Sequence, residues 1–174
     1  KHFLNLLKQN KKEEELYNNY KNKNMSKLNI GDKAPELNIP NQNGENISLD
    51  HFKGKKLVIY FYPKDMTPGC TAESCDLRDN YNALLDKGYA VLGISCDSQK
   101  SHQKFISKYN LPFDLGSDEE QKVVKAYDVW GLKKFMGKEY MGITRRTFIL
   151  NEDSVIEEII TKVNTKEHTT QILK

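Results

Sequence analysis

The 174 residues are expected to fold as a single α/β sandwich, a central mixed sheet flanked by helices, with a β-hairpin at its N-terminal end. Three observations predict this. Two continuously apolar runs rich in β-branched and aromatic residues, LVIYFY at 57–62 and AVLGIS at 90–95, have the composition of strands buried on both faces. Helical patterns lie between and after them, as a layered arrangement of strands and helices requires. The chain then closes with two more apolar runs, TFIL at 147–150 and VIEEII at 155–160, around an NED turn. This length supports one well-buried core and is short for two, so one domain is the expectation.

Residues 1–24 are half Lys or Asn, and their apolar cluster is confined to Phe3, Leu4, Leu6 and Leu7. Such a composition buries little surface, so 1–26 is expected to be a disordered or frayed N-terminal extension and 27–174 the folded domain. Glu13, Glu14 and Glu15 argue against an organelle transit peptide, and the segment lacks the apolar core of a secretory signal. Met25 has the look of a natural start, which would make the residues before it an extension, a reading-frame artefact or a processed leader. From Gly31 short strands begin: ELNIP and NISL flank NQNGE, a hairpin signal. DHFKG is a helical turn stopped at Gly54. After the strand at 57–62, Thr67-Pro68-Gly69 opens a helix expected to run to about Lys87, with Gly88 as its stop. A second helix, Ser98 to Tyr109, keeps Phe105, Ile106 and Tyr109 on one face. FDLGS (113–117) is extended, EEQKVVKAYDV is helical with Val123, Val124 and Tyr127 inward, and a short helix follows Asn164. Strands and helices in this order make the sandwich one of thioredoxin type.

The formal charge of +3 belongs to the tail. Residues 1–24 hold six Lys and three Glu; removing them from the totals of 27 and 24 leaves 21 of each sign. A neutral body offers no basic face for nucleic acid. The longest apolar run falls far below the ~20 residues that span a bilayer, so a soluble protein with no membrane partner is expected. Three cysteines are odd in number and too few for a disulfide framework, which points to thiols in a reducing, cytoplasmic setting.

The stretch YPKDMTPGCTAESC places Cys70 and Cys75 five positions apart. A thiol reacts as its thiolate, which is scarce at neutral pH for a free side chain of pKa ~8.5. Cys70 follows Pro68-Gly69 in the first turn of the expected helix, where unpaired amides and the dipole favour an anion. Lowering its pKa by about two units requires ~2.7 kcal/mol of preference for the thiolate, more than a helix end supplies, so a nearby cation is expected. Cys75 is a different case. On an intact helix, positions five apart have Cα atoms roughly 8–9 Å apart and point ~140° away from each other, whereas a disulfide needs about 7 Å or less. A Cys70–Cys75 bond therefore demands that the first turns unwind, and Ser74 and Asp76, weak helix formers, are compatible with easy melting. No metal is expected, because His51, the nearest histidine, has no partner at ligand spacing.

The run from Pro63 through Cys70, PKDMTPGC, resembles the P-x3-T-x2-C signature of peroxiredoxins, and the spacing to Cys75 is similar to that of the bacterioferritin comigratory, or Q-type, subgroup. The resemblance continues in GDKAPELNIPNQNGENISL, LVIYFYPKDMTPGCTAE, VLGIS, VWG, FMGKEYMGI and TRRTFIL, nearly everything after Lys27. It implies that Cys70 is the peroxidatic cysteine and Cys75 the resolving one, in an atypical two-cysteine enzyme recycled by thioredoxin or a glutaredoxin-like donor. It also implies a pocket arginine three residues before a strand phenylalanine, which is Arg145 before Phe148; strand alternation then makes Arg146 a solvated surface charge. The implied reaction reduces hydrogen peroxide and organic hydroperoxides to water or alcohols through a sulfenic acid on Cys70, without metal, haem or flavin. In it Thr67 offers its hydroxyl to the peroxide, the amides of Gly69 and Cys70 hold an oxygen, Arg145 stabilises thiolate and leaving group, and Pro63 shields the thiolate or merely ends the strand. Cys96 matches nothing in the signature and is expected to be a half-buried structural thiol. Trp130, Phe135 and Tyr140 either line the pocket entrance or pack in the core. A monomer is expected, with a weak homodimer as the alternative.

Two other functions use similar chemistry. A thioredoxin-like disulfide oxidoreductase needs cysteines three apart, and no C-x-x-C occurs here. A non-catalytic redox sensor would use the same Cys70–Cys75 switch without rapid recycling.

Overall fold

The computed structural model describes residues 2–24 and 27–174. A helix, α1 (His2–Asn24), precedes a short hairpin of β1 (Ile39–Pro40) and β2 (Asn46–Ile47) and a 3-10 turn at Leu49–Phe52. There follow β3 (Lys56–Phe61), α2 (Pro68–Asp79), α3 (Tyr81–Asp86), β4 (Tyr89–Ser95), α4 (Gln99–Tyr109), β5 (Asp114–Ser117) and α5 (Lys122–Ala126). The chain ends with β6 (Trp130–Phe135), β7 (Lys138–Ile143), β8 (Arg146–Leu150), β9 (Ile156–Ile160) and α6 (His168–Leu173).

The central sheet has the order β5-β4-β3-β8-β9. β3, β4 and β5 run parallel, and β8 joins β3 antiparallel, with Phe148 opposite Ile59. This is the mixed sheet the sequence predicts. Because successive side chains of a strand face opposite ways, β3 feeds two cores. Leu57, Ile59 and Phe61 pack with Val124, Tyr127, Phe148 and the N-terminal hairpin, while Val58, Tyr60 and Tyr62 pack with Leu77, Leu84, Phe105 and Ile172 from α2, α3, α4 and α6. Every β3 residue from Leu57 to Phe61 is at most 1% exposed, as a strand covered on both faces requires.

Four local expectations change. The helix drawn from Thr67 to Lys87 is two: Asn80, at φ −109° and ψ 14°, bends the chain, and its side-chain amide donates to the Asp76 carbonyl at 2.8 Å. A short polar side chain that competes for backbone acceptors breaks the ladder there. The helix expected over 119–129 shrinks to α5. The β6–β7 hairpin escapes periodicity because its strands are mostly exposed and carry Lys133, Lys134, Lys138 and Glu139; its two-residue turn, Met136-Gly137, has both φ values positive, as primed turns need. Finally, α1 is one continuous helix, whose Lys, Leu and Glu content favours that state. It meets the body through polar atoms: Tyr17 donates to the Trp130 carbonyl at 3.1 Å and Lys21 lies 3.6 Å from Asp128. Met25, read as a natural start, lies outside the described residues. No described helix is long and apolar enough to cross a membrane.

Candidate active site

α2 positions the thiol. Thr67 is its N-cap and Pro68 occupies the first turn, where a missing N–H costs nothing. The buried residues Cys70, Glu73, Ser74 and Leu77 follow the i, i+3, i+4, i+7 spacing of one helical face, so the sulfur points inward and is 1% exposed. The first helical bond runs from Thr71 N to Thr67 O, leaving the amides of Gly69 and Cys70 ahead of the helix's own acceptors.

The expected cation lies against this sulfur. Arg145, just before β8, donates from Nη2 to Cys70 Sγ at 3.2 Å and from Nη1 to Glu73 Oε2 at 2.5 Å. Gly69 makes room for it: a Cβ there would come within 3.2 Å of Arg145 Nη2. Arg146 is not the solvated charge expected. It is half-buried, its Nη1 reaches the Asp128 carbonyl at 3.4 Å, and its Nε is buried without a partner. Alternation does send it away from the sulfur, but that face of the sheet is covered by the segment leading out of α5.

Thr67 and Pro63 lie on the loop between β3 and α2, both half-buried. The hydroxyl of Thr67 donates its proton to the Lys64 carbonyl at 2.8 Å. Its proton is thereby committed to that carbonyl, and what the hydroxyl leaves open is its lone pairs. The same loop is clamped from the other side. Asp65 accepts from Tyr62 Oη at 2.6 Å and Ser101 Oγ at 2.8 Å, pairs with His102 Nδ1 at 2.8 Å, and gives its amide to Asp97. Asp65, Asp97 and His102 hold their ligand-type atoms within 4.8 Å of one another, but these atoms are taken up by the hydrogen bonds of the clamp.

Cys75 sits on the same unbroken helix, half-buried, its thiol pushed up by burial against the pull of Arg78; it and Cys70 are free thiols. The easy melting expected around it meets three tethers. Glu73 is held by Arg145, Ser74 bonds Tyr60 Oη at 3.0 Å, and Asp76 Oδ2 accepts from Thr169 N at 2.7 Å and Thr169 Oγ1 at 2.8 Å. Low intrinsic propensity is offset by side chains from β3, from the residue before β8 and from α6. Cys96 packs partly buried against the core, and burial with the charges of Asp118 and Asp97 pushes its thiol up to about 12, so it carries no thiolate at neutral pH.

Sequence reading missed the groups behind Arg145. Glu73 is fully buried, and desolvation outweighs Arg145 enough to push its carboxyl up to about 7. Its place three residues after Cys70, on the same face, was the available signal. His168 of α6, also buried, sits 3.6 Å from Glu73 with nothing in the sequence to mark it. Lys133 of β6 is a further cation nearby; burial and the charge of Arg145 lower its pKa, Cys70 opposes, and its Nζ donates to the Ile143 carbonyl at 2.8 Å. On the same hairpin Phe135 and Tyr140 are exposed rather than core, whereas Trp130 packs against the core.

Comparison with known proteins places the chain in a family. Residues 30–159 match the model of the AhpC/TSA family. The chain is 47% identical over 147 residues to the peroxiredoxin Bcp of Bacillus subtilis, covering 84% of this chain and 94% of that protein. It is 44% identical over 144 residues to the peroxiredoxin Bcp of Escherichia coli K12, covering 83% and 92%. Among solved structures, a peroxiredoxin Q of Xanthomonas campestris superposes with a TM-score of 0.74 at 37% identity, over 79% of this chain and 87% of that one. A bacterioferritin comigratory protein of the same organism, solved in work on alkyl peroxide reduction, gives 0.74 at 36% identity with the same coverage.

Proposed function

The chain belongs to the AhpC/TSA family, among the Bcp or Q-type peroxiredoxins, and from that membership as a thiol-dependent peroxidase we propose how its residues divide the work. Cys70 is the peroxidatic thiol, and the observation that carries this is the Arg145 guanidinium 3.2 Å from a buried sulfur at a helix start. The thiolate attacks one peroxide oxygen, the O–O bond breaks, and Cys70 becomes a sulfenic acid while the leaving oxygen takes a proton and departs as water or alcohol. Charge moves from sulfur to the leaving oxygen, so fixed donors along that line stabilise the transition state. Arg145 reaches both ends, the amides of Gly69 and Cys70 face one oxygen, Thr67 accepts from the peroxide O–H, and Pro63 keeps water from the sulfur.

Cys75 then attacks the sulfenic sulfur, forming the disulfide and releasing water, once α2 has unwound between the two cysteines. A thioredoxin-type dithiol returns both to thiols, and a glutaredoxin-like donor would serve by the same exchange. Residues 27–174 form the catalytic unit, with the N-terminal segment as an appendage. It works as a monomer in the cytoplasm; three cysteines, odd in number and free, suit a reducing compartment, and sedimentation at working concentration tests the monomer.

Cys70→Ser should abolish peroxide consumption. Cys75→Ser should consume one equivalent per chain and stop turning over with thioredoxin and its reductase. Mass mapping of peroxide-treated protein should place the disulfide between residues 70 and 75. Full turnover by Cys75→Ser, or a bond to Cys96, would remove Cys75 from the cycle.

A further inference from the structure

Beneath the thiol lies a buried pair that the reaction above does not use. Gln171 fixes its chemistry: its Oε1 accepts from Asn164 N at 2.8 Å while its Nε2 donates to the Lys162 carbonyl at 2.9 Å. The atom facing His168 Nδ1 at 2.8 Å is thus an oxygen, so Nδ1 carries the hydrogen. A neutral ring then leaves a lone pair on Nε2, which accepts from the Thr147 hydroxyl at 2.8 Å and lies 3.6 Å from Glu73 Oε1. That carboxylate oxygen is buried and has no hydrogen-bond partner. A buried carboxylate oxygen without a donor, beside an imidazole nitrogen whose hydroxyl partner can turn from donor to acceptor, is a place for one proton.

We propose that Glu73 and His168 together hold one exchangeable proton, and that its occupancy follows the charge on Cys70 through Arg145. Glu73 and His168 are positioning residues, since neither touches the sulfur. The inference rests on Cys70 being the thiol that peroxide oxidises. With the thiolate present, Cys70, Arg145 and an ionised Glu73 sum to one net negative charge in a buried cluster, and the proton neutralises it. Oxidation replaces the thiolate by a neutral sulfenic acid, Arg145 and Glu73 then balance, and the proton is released. The other charged or titratable groups facing Glu73 are Asp76 on its own helix and Tyr60 on the sheet face beneath α2. Burial raises Glu73 to about 7 and lowers His168, which brings the proton's exchange into the neutral range.

Proton balance provides the test. The step consumes thiolate, peroxide and one proton, giving sulfenic acid and water or alcohol. Where the pair is empty, that proton comes from solvent; where it is filled, the pair's own release offsets the uptake. Reduced Cys75→Ser protein, whose helix cannot be unwound by disulfide formation, is given one equivalent of hydrogen peroxide in weak buffer with an indicator dye. Uptake should fall from about one proton per chain well above pH 7 to about half near pH 7. Glu73→Gln and His168→Gln should each take up the full proton at both pH values. Because a buried variant can fail to fold, the imidazole nitrogens of His168 are also followed by NMR in Cys75→Ser with both residues intact. Near pH 7, the Nε2 resonance should shift when Cys70 is oxidised, with Nδ1 staying protonated. An Nε2 resonance indifferent to oxidation, or equal uptake in the parent and both variants, overturns the proposal. Failure to consume peroxide at all would instead overturn the assignment of Cys70.

Discussion

At the scale of single residues, the site depends on how closely a guanidinium approaches a sulfur. Gly69 sets that approach, because any side chain there meets Arg145 Nη2. Gly69→Ala separates catalysis from stability. Alanine's gain in backbone entropy over glycine, at most roughly 0.5–1 kcal/mol, opposes the cost of shifting Arg145 by a few tenths of an ångström, so stability should change little. Its peroxide rate constant should fall about ten-fold, corresponding to ~1.4 kcal/mol of lost transition-state stabilisation, because the displaced guanidinium no longer faces the sulfur squarely. Stopped-flow peroxide kinetics beside a denaturant titration checks both, and a variant as fast as the parent would show that the close approach is immaterial. The family resemblance implied Gly69 and Thr67, and a place at a helix start made Cys70 legible in the sequence. The direction of the Thr67 hydrogen bond was not, since it depends on where the Lys64 carbonyl turns after Met66 enters the left-handed region at φ 65°.

At the scale of elements, α2 is ordered where it builds the site, and the proposed Cys70–Cys75 bond would require it to unwind. Its tethers set the balance. Thr169 gives Asp76 two charge-assisted hydrogen bonds from α6, each worth ~1.5–3 kcal/mol in general. Thr169→Val removes the hydroxyl donor at little change in volume. Disulfide formation after oxidation should speed up several-fold, with the peroxide step unchanged, since the sulfur and Arg145 are untouched. Quenched-flow with mass detection of the Cys70–Cys75 bond measures it, and an unchanged rate would show that unwinding does not involve the α6 contact. The helix start and the five-residue spacing on it were readable from sequence. The break at Asn80 and the strength of the tethers were not, because a propensity scale ranks Ser74 and Asp76 without their partners on β3 and α6.

For the whole molecule, pH dependence of stability should report the buried carboxyl. Glu73, raised from 4.5 to about 7, keeps a proton in the folded chain where the unfolded chain has lost it. Stability assigned to it is therefore present at low pH and lost as pH rises between these values, by at most roughly 3 kcal/mol. His168, held below 6.5 by burial, acts the other way, since its unfolded form binds the extra proton as pH falls. Comparing the parent with Glu73→Gln isolates the first effect: the variant should gain on the parent as urea denaturation is moved from about pH 5 to about pH 8. A constant gap would contradict a raised Glu73. The amino-acid sequence by itself determined the buried strands, the thiol at a helix start and the mismatch between helix geometry and a Cys70–Cys75 bond, because each follows from period, composition or chain geometry over a few residues. Only the tertiary structure decided that Arg145 spans Cys70 and Glu73, that His168 closes the row behind them, and that Asp65 and His102 clamp the loop. Those contacts join segments far apart in the chain, and the antiparallel entry of β8 beside β3, together with the packing of α6 on α2, is what brings them within hydrogen-bonding reach.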